Sequence, residues 1–276
     1  MTVEKQIIAQ FGLLNPINAR HAPPVGSLSL ALTDLAPTAD GTLAVQADIA
    51  KLFTTASTDA WHRAIHSFLI STSLVECSPL WSGVCGYYAS HYTVRAFAHL
   101  FGCFLLFNKK RLVELNLANG TYSCTFRKKQ GSDREHKVYW KRLMDESPIK
   151  SDHFFKVNVG EDSEVSQRDR ANYADHLSSQ YKTFLTLDKN ATRRRIDTIS
   201  KIEFTEPPFP HIENFIDLTN VHIIAYHRIV KYRKFLDDLL GSSSRYWNVN
   251  RNPSFSEDYI DFQVTENRDL AGTYRR

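Results

Sequence analysis

The chain has 276 residues, of which 42% are hydrophobic, with a formal net charge of +4. That length and apolar content are enough to bury one large core or two modest ones, which excludes disorder as the default state. A small basic excess carries information only where it is clustered, so the question is where the cations fall.

Residues 3–14 predict a short amphipathic helix. The acidic and amide residues in MTVEKQIIAQFGLL do not follow the basic-then-apolar order of a secretory signal, so a cytoplasmic protein is expected. Paired prolines at Pro23 and Pro24 break regular structure, and residues 28–57, rich in Ala, Thr and Leu, fit no single period. From Asp59 the pattern sharpens. Trp61, Ile65, Phe68, Leu69 and Thr72 recur at spacings of three and four, one face of a helix expected to end near Cys77.

Ser78 as N-cap, Pro79 at the first position and Gly102 as the stop frame a second helix over 80–101, antiparallel to the first. FLLF and RLVELNL then read as strands, Asn119-Gly120 as a tight hairpin turn, and TYSCTFRKK as the return strand. Residues 103–142 are therefore expected to form a small basic β excursion. Between Asn108 and Arg142 lie ten basic residues against three acidic ones, and Arg127, Lys128 and Lys129 stand at the end of the return strand. Two further basic groups, Arg193/Arg194/Arg195 and Arg228/Lys231/Arg233/Lys234, fall in helical stretches. Such clusters suit a phosphate-rich partner, RNA or DNA, since charge alone does not distinguish them; the alternative is a set of solvated faces balanced elsewhere.

Helices are expected over 163–187 and 192–204. After the EPPFP break, Phe215, Leu218, Ile223, Tyr226, Val230, Phe235 and Leu239 predict a long helix that stops at Gly241. The expected layout is an N-terminal segment (1–58), a helical domain (59–240) carrying the β insertion, and a C-terminal tail (241–276) packed on that domain.

The four cysteines show no zinc-finger spacing, and the His62/His66 pair lacks the Glu of a HExxH site. Neither a metal nor a cofactor is expected. The most apolar window, residues 97–107, is too short to cross a bilayer.

Tyr87, Tyr88 and Ala89, set among small residues and followed by Arg95-Ala96 and the Gly102 stop, form the most distinctive stretch of the chain. Downstream, Arg168, Asp169, Arg170, Asn172, Tyr173 and His176 make a second polar-aromatic run. In this order the two resemble helices of the HEPN superfamily of prokaryotic RNases and defence proteins. The resemblance implies a mainly α fold, an antiparallel helical bundle with the basic β-hairpin inserted. It also implies a metal-independent endoribonuclease, a toxin or antiviral component, whose Arg/His pair is assembled across a dimer. His176 would then exchange a proton with the ribose 2′-hydroxyl, and Arg170 would clamp the phosphate, with Asp169, Asn172 and Tyr173 in support. Arg170 and His176 have five residues between them, within the four to six of the family, although a straight helix sets them ~120° apart. His91, Arg95 and His99, spaced by four, form an alternative catalytic face. The rival reading is a non-catalytic module that uses the 80–101 helix as a dimer or partner interface and its basic patches for nucleic acid.

Overall fold

The computed structural model describes residues 2–14, 24–75, 78–131, 135–145, 149, 155, 189–200 and 219–251. The helix expected over 163–187 lies outside them, and with it Asp169, Arg170, Asn172, Tyr173 and His176.

Helix α3 (Ala47–Leu74) is the axis of the molecule. It carries many hydroxyl residues, which weaken helices, and several of them are satisfied by the preceding turn: Thr54 donates to the Ala50 carbonyl at 3.2 Å, Thr58 to the Thr54 carbonyl at 3.1 Å and, in the last turn, Thr72 to the Phe68 carbonyl at 3.0 Å. The apolar residues between them turn to two different cores. Ala50, Phe53 and Ala56 join one, and Trp61, Ile65, Phe68 and Leu69 the other.

Helix α4 (Pro79–Leu100) returns beside α3. Ser71 meets Ser82 at one end and Ser57 meets the Ala96 carbonyl at the other, so the pair is antiparallel, as expected. Before α3 come α1 (Val3–Gly12) and α2 (Pro24–Leu35). After the sheet come α5 (Glu135–Asp145), α6 (Lys189–Ser200), α7 (Thr219–Leu240) and α8 (Arg245–Asn250).

α7 runs antiparallel to α3, pinned by polar contacts that only tertiary structure reveals. Trp61 Nε1 donates to the Ile229 carbonyl at 3.0 Å, and the Tyr232 hydroxyl donates to Ser57 Oγ at 2.6 Å while Ser57 donates to Ala96. Gly86 lets α7 approach α4: a Cβ there would lie 2.6 Å from Val221 Cγ1.

Strands β1 (Gly41–Val45), β2 (Cys103–Leu106), β3 (Arg111–Ala118) and β4 (Thr121–Lys128) form an antiparallel sheet in the order β1-β4-β3-β2. Alternation sets its faces. Val113, Leu115, Leu117, Tyr122, Cys124 and Phe126 point into the second core, under α2 and the N-terminal half of α3. Asn119 and Gly120 take positive φ (51° and 77°) in the expected two-residue turn, pairing Ala118 with Thr121. Beyond the first residue of β2, the Gln6 side chain of α1 continues its ladder along β3. Gln6 Nε2 donates to the Leu115 carbonyl at 3.2 Å, and Leu117 N donates to Gln6 Oε1 at 3.3 Å.

The molecule is mainly helical, as expected, and differs from the sequence reading in several places, α2 among them, where Pro24 opens a helix in a stretch that fits no single period. The β region is not a hairpin excursion alone, because β1 adds a strand from residues 41–45 and residues 135–145 are helix. α3 begins at Ala47, so the boundary expected at 58 falls inside one continuous helix. On α7 the buried stripe is Ala225, Ile229, Tyr232, Leu236 and Leu240, while Tyr226, Val230, Phe235 and Leu239 sit at its half-buried margin. At the start of the C-terminal segment, Ser244 caps α8, and fully buried Trp247 packs against Trp61 with ring centroids 5.5 Å apart.

Candidate nucleic-acid interface

The basic end of the sheet is built by one turn and one strand terminus. β2 ends at Leu106, and Phe107, Asn108, Lys109 and Lys110 turn the chain into β3. The turn closes with Lys110 N donating to the Phe107 carbonyl at 3.0 Å, with Lys110 at φ 50°. Lys129 N donates to the Lys110 carbonyl at 2.7 Å, which extends the β3–β4 ladder by one step. Lys109 and Lys110 are thereby brought beside Lys128 and Lys129. The Lys129 ammonium lies 5.5 Å from the centroid of the Phe107 ring.

Among the described residues one carboxylate, Asp40, is bonded at this end, and the Thr33 hydroxyl accepts from Asn108 Nδ2 at 2.8 Å. Asp40 is engaged by Arg111, and it accepts from the Lys128 backbone N–H at 2.8 Å. Arg111 also donates to the Thr38 carbonyl at 2.6 Å. Arg111 and Asp40 therefore tie the start of β1 to the end of the hairpin, leaving Lys109, Lys110 and Lys128 exposed. Among the described residues these three lysines make no ion pair. Arg127 lies on the opposite face of β4, across from Leu112.

The other expected basic groups serve the fold to differing degrees. Arg194 is exposed on α6, whereas Arg193 and Arg195 are half-buried, and Arg195 donates to the Thr72 carbonyl at 2.8 Å near the C-terminus of α3. A cation at that position satisfies an orphan carbonyl and the helix dipole. On α7, Arg228 is fully buried, its guanidinium 4.6 Å from the Trp140 ring centroid, and Arg233 pairs with Asp237 at 3.4 Å. The α7 group is not a continuous phosphate-facing surface.

His91, Arg95 and His99 do share one stripe of α4, but the two histidines are buried. His91 lies parallel to the Tyr87 ring at a centroid distance of 6.1 Å. Arg95 Nε donates to His99 Nε2 at 3.1 Å, so that nitrogen is an acceptor, and His99 Nδ1 donates to the Cys103 carbonyl at 2.9 Å. Burial first, and the Arg95 guanidinium second, push the His99 imidazole down to about 3. A neutral imidazole with both nitrogens engaged, one accepting from Arg95 and one donating to Cys103, joins α4 to β2 and offers neither nitrogen for proton transfer.

A serine–histidine cluster gave no signal in the sequence, because its members are far apart along the chain. Ser71 and Ser82 each donate to the other's carbonyl, at 2.6 and 2.5 Å, and His222 Nε2 lies 2.6 Å from Ser71 Oγ. With both hydroxyl protons committed to carbonyls, His222 is the donor to Ser71. The geometry therefore clamps α3, α4 and α7 together and does not activate a nucleophile. Phe107 and the turn lysines Lys109 and Lys110 were also missed as site residues. The two lysines entered the sequence reading only as members of the 108–142 basic cluster, and the one signal for Phe107 is its place between an apolar run and NKKR.

Along α4, Trp81, Cys85, Tyr88 and Tyr92 recur at helical spacing and are exposed or half-buried, a strip that α3, α5 and α7 leave uncovered. Cys85, Cys103 and Cys124 are free thiols, and burial pushes Cys124 up to about 12. Among the described residues, no group of three or more His, Cys, Asp or Glu side chains gathers as a metal site, and no helix is long and apolar enough to cross a membrane. Compared with known protein families, curated proteins and solved structures, the chain matches none.

Proposed function

We propose that this chain binds nucleic acid, RNA foremost, through the basic end of its sheet. The observation that supports this is the gathering of Lys109, Lys110, Lys128 and Lys129 on one clamped turn and strand end, where Asp40, the carboxylate bonded there, is taken up by Arg111 and a backbone N–H. Ammonium groups held together without bonded carboxylates match the charge density of a phosphate backbone.

The resemblance to HEPN proteins adds a catalytic reading to this binding function. In that reading RNA held by the lysines is cut without a metal by His176 as the proton-transfer residue and Arg170 as the phosphate clamp, in a toxin or antiviral setting. Asp169, Asn172 and Tyr173 would orient the pair. This part rests on the residue pattern alone. The strip of Trp81, Cys85, Tyr88 and Tyr92 is the surface of α4 on which a second copy would assemble a two-chain site. Sedimentation of wild type against Trp81→Glu decides that point: a dimer reduced to monomer by the substitution is expected, and a wild-type monomer would exclude it.

Binding and cleavage are tested with one set of proteins: wild type, Lys128→Glu/Lys129→Glu and His176→Ala, incubated with single-stranded RNA in EDTA. The charge reversal is expected to weaken RNA retention at least tenfold, in line with the loss of two phosphate contacts. Unchanged affinity contradicts the binding reading. Ends bearing 2′,3′-cyclic phosphate from wild type and not from His176→Ala support the catalytic one; equal cleavage by both, or none by either, overturns it.

A further inference from the structure

We infer that the Phe107 ring is a stacking platform for an unpaired base, so that the basic end of the sheet selects single-stranded over duplex nucleic acid. The inference rests on the nucleic-acid-binding reading above and assigns it a substrate form.

Phe107 is 51% exposed, whereas Cys103, Phe104, Leu105 and Leu106, which precede it, are all buried. The ring is thus not part of either core. A turn at this point has no local need of an aromatic, since turns are made by Gly, Asn, Asp, Ser and Pro for reasons of backbone geometry. A lone exposed apolar residue is ordinary on a protein surface. This one differs in its surroundings: it stands among the exposed Lys109, Lys110 and Lys128 and the half-buried Lys129.

The turn that carries the ring is clamped on both sides. Lys110 N donates to the Phe107 carbonyl, Asn108 Nδ2 bonds Thr33 on α2, and Lys129 N bonds the Lys110 carbonyl. The Lys129 ammonium, 5.5 Å from the ring centroid, adds a cation–π contact that restrains the side chain further. A ring held in place loses little freedom when a base stacks on it. The phosphates flanking that base would then lie within reach of the neighbouring lysines. This combination of a stacking face and a cationic rim is how single strands are held without sequence preference. A duplex, whose bases are already stacked on one another, offers this surface its phosphates only.

The test is fluorescence anisotropy with three ligands: a short single-stranded RNA, the same strand with abasic residues, and the matched duplex. The proteins are wild type, Phe107→Ala, Phe107→Trp and Lys128→Glu/Lys129→Glu. Exposure of Phe107 makes its replacement harmless to folding. Phe107→Ala is expected to lose about tenfold in affinity for the intact single strand and nothing for the abasic strand or the duplex, while Phe107→Trp keeps wild-type binding. Wild-type affinity of Phe107→Ala for the intact strand overturns the inference. If the charge variant then weakens all three ligands, stacking alone has failed. If the charge variant also binds as wild type does, the basic interface itself has failed.

Discussion

His99 shows how a residue type suited to proton transfer is diverted to structure. Its Nε2 accepts from Arg95 and its Nδ1 donates to Cys103, so the fold requires the neutral ring. In the unfolded chain the imidazole titrates near its ordinary value of 6.5, and in the fold it does so at about 3. Below pH 6.5 the unfolded state therefore binds a proton that the folded state refuses. The contribution of His99 is complete above pH 6.5 and falls away as the pH drops toward 3, with about 2 kcal/mol gone by pH 5. His62, lowered by burial while its Nε2 donates to the Asn250 carbonyl at 3.0 Å, acts in the same direction. Urea unfolding at pH 7.5 and pH 5 should show this loss in wild type and a smaller one in His99→Gln. An equal loss in both proteins would mean that His99 is not the group responsible.

At the scale of elements, two glycines with the same backbone angle separate conformational strain from steric conflict. Gly102 and Gly120 both have φ +77°, but a Cβ at Gly102 would lie 2.6 Å from the Leu115 carbonyl oxygen, and one at Gly120 would meet nothing within 4 Å. The Gly102 carbonyl also accepts from Leu115 N at 2.7 Å, which seats the end of α4 on β3. Gly120→Ala should cost about 1 kcal/mol, the left-handed penalty alone, and Gly102→Ala about 3 kcal/mol or more, because the obstacle is backbone. Equal costs from thermal or chemical denaturation would contradict the packing described here. Gly102 was legible in the sequence as a helix stop, as were Ser78-Pro79 at the start of α4 and the Asn119-Gly120 turn, because each is a local backbone requirement. β1 was not legible. Its register is set by β4, with Leu43 opposite Cys124 some eighty residues later, and GTLAV carries little pattern of its own. α5 was obscured because its buried residues Val138, Tyr139, Trp140 and Leu143 are embedded in charges that read as an extension of the basic hairpin.

At the scale of the whole molecule, the helices form a scaffold and the sheet presents its cations at one end. The charge cluster was visible in the sequence, but which cations are available was not. Arg111 is committed to Asp40 and Thr38, Arg195 to the end of α3, and Arg228 to the interior between Trp140 and Phe155. Linear spacing gives no sign of any of these assignments, since each partner is distant in sequence. The exposure of Phe107 was hidden for a related reason, as it ends an apolar run whose other members are buried.

The most direct test of the nucleic-acid-binding claim is the salt dependence of RNA affinity for wild type and for Lys109→Ala/Lys128→Ala/Lys129→Ala. If these lysines neutralise phosphates, the slope of log affinity against log salt for a single strand should become shallower by about 2 in the variant, with weaker binding at low salt. Identical slopes and affinities for the two proteins would show that RNA is not held at this end of the sheet and would contradict the proposed interface.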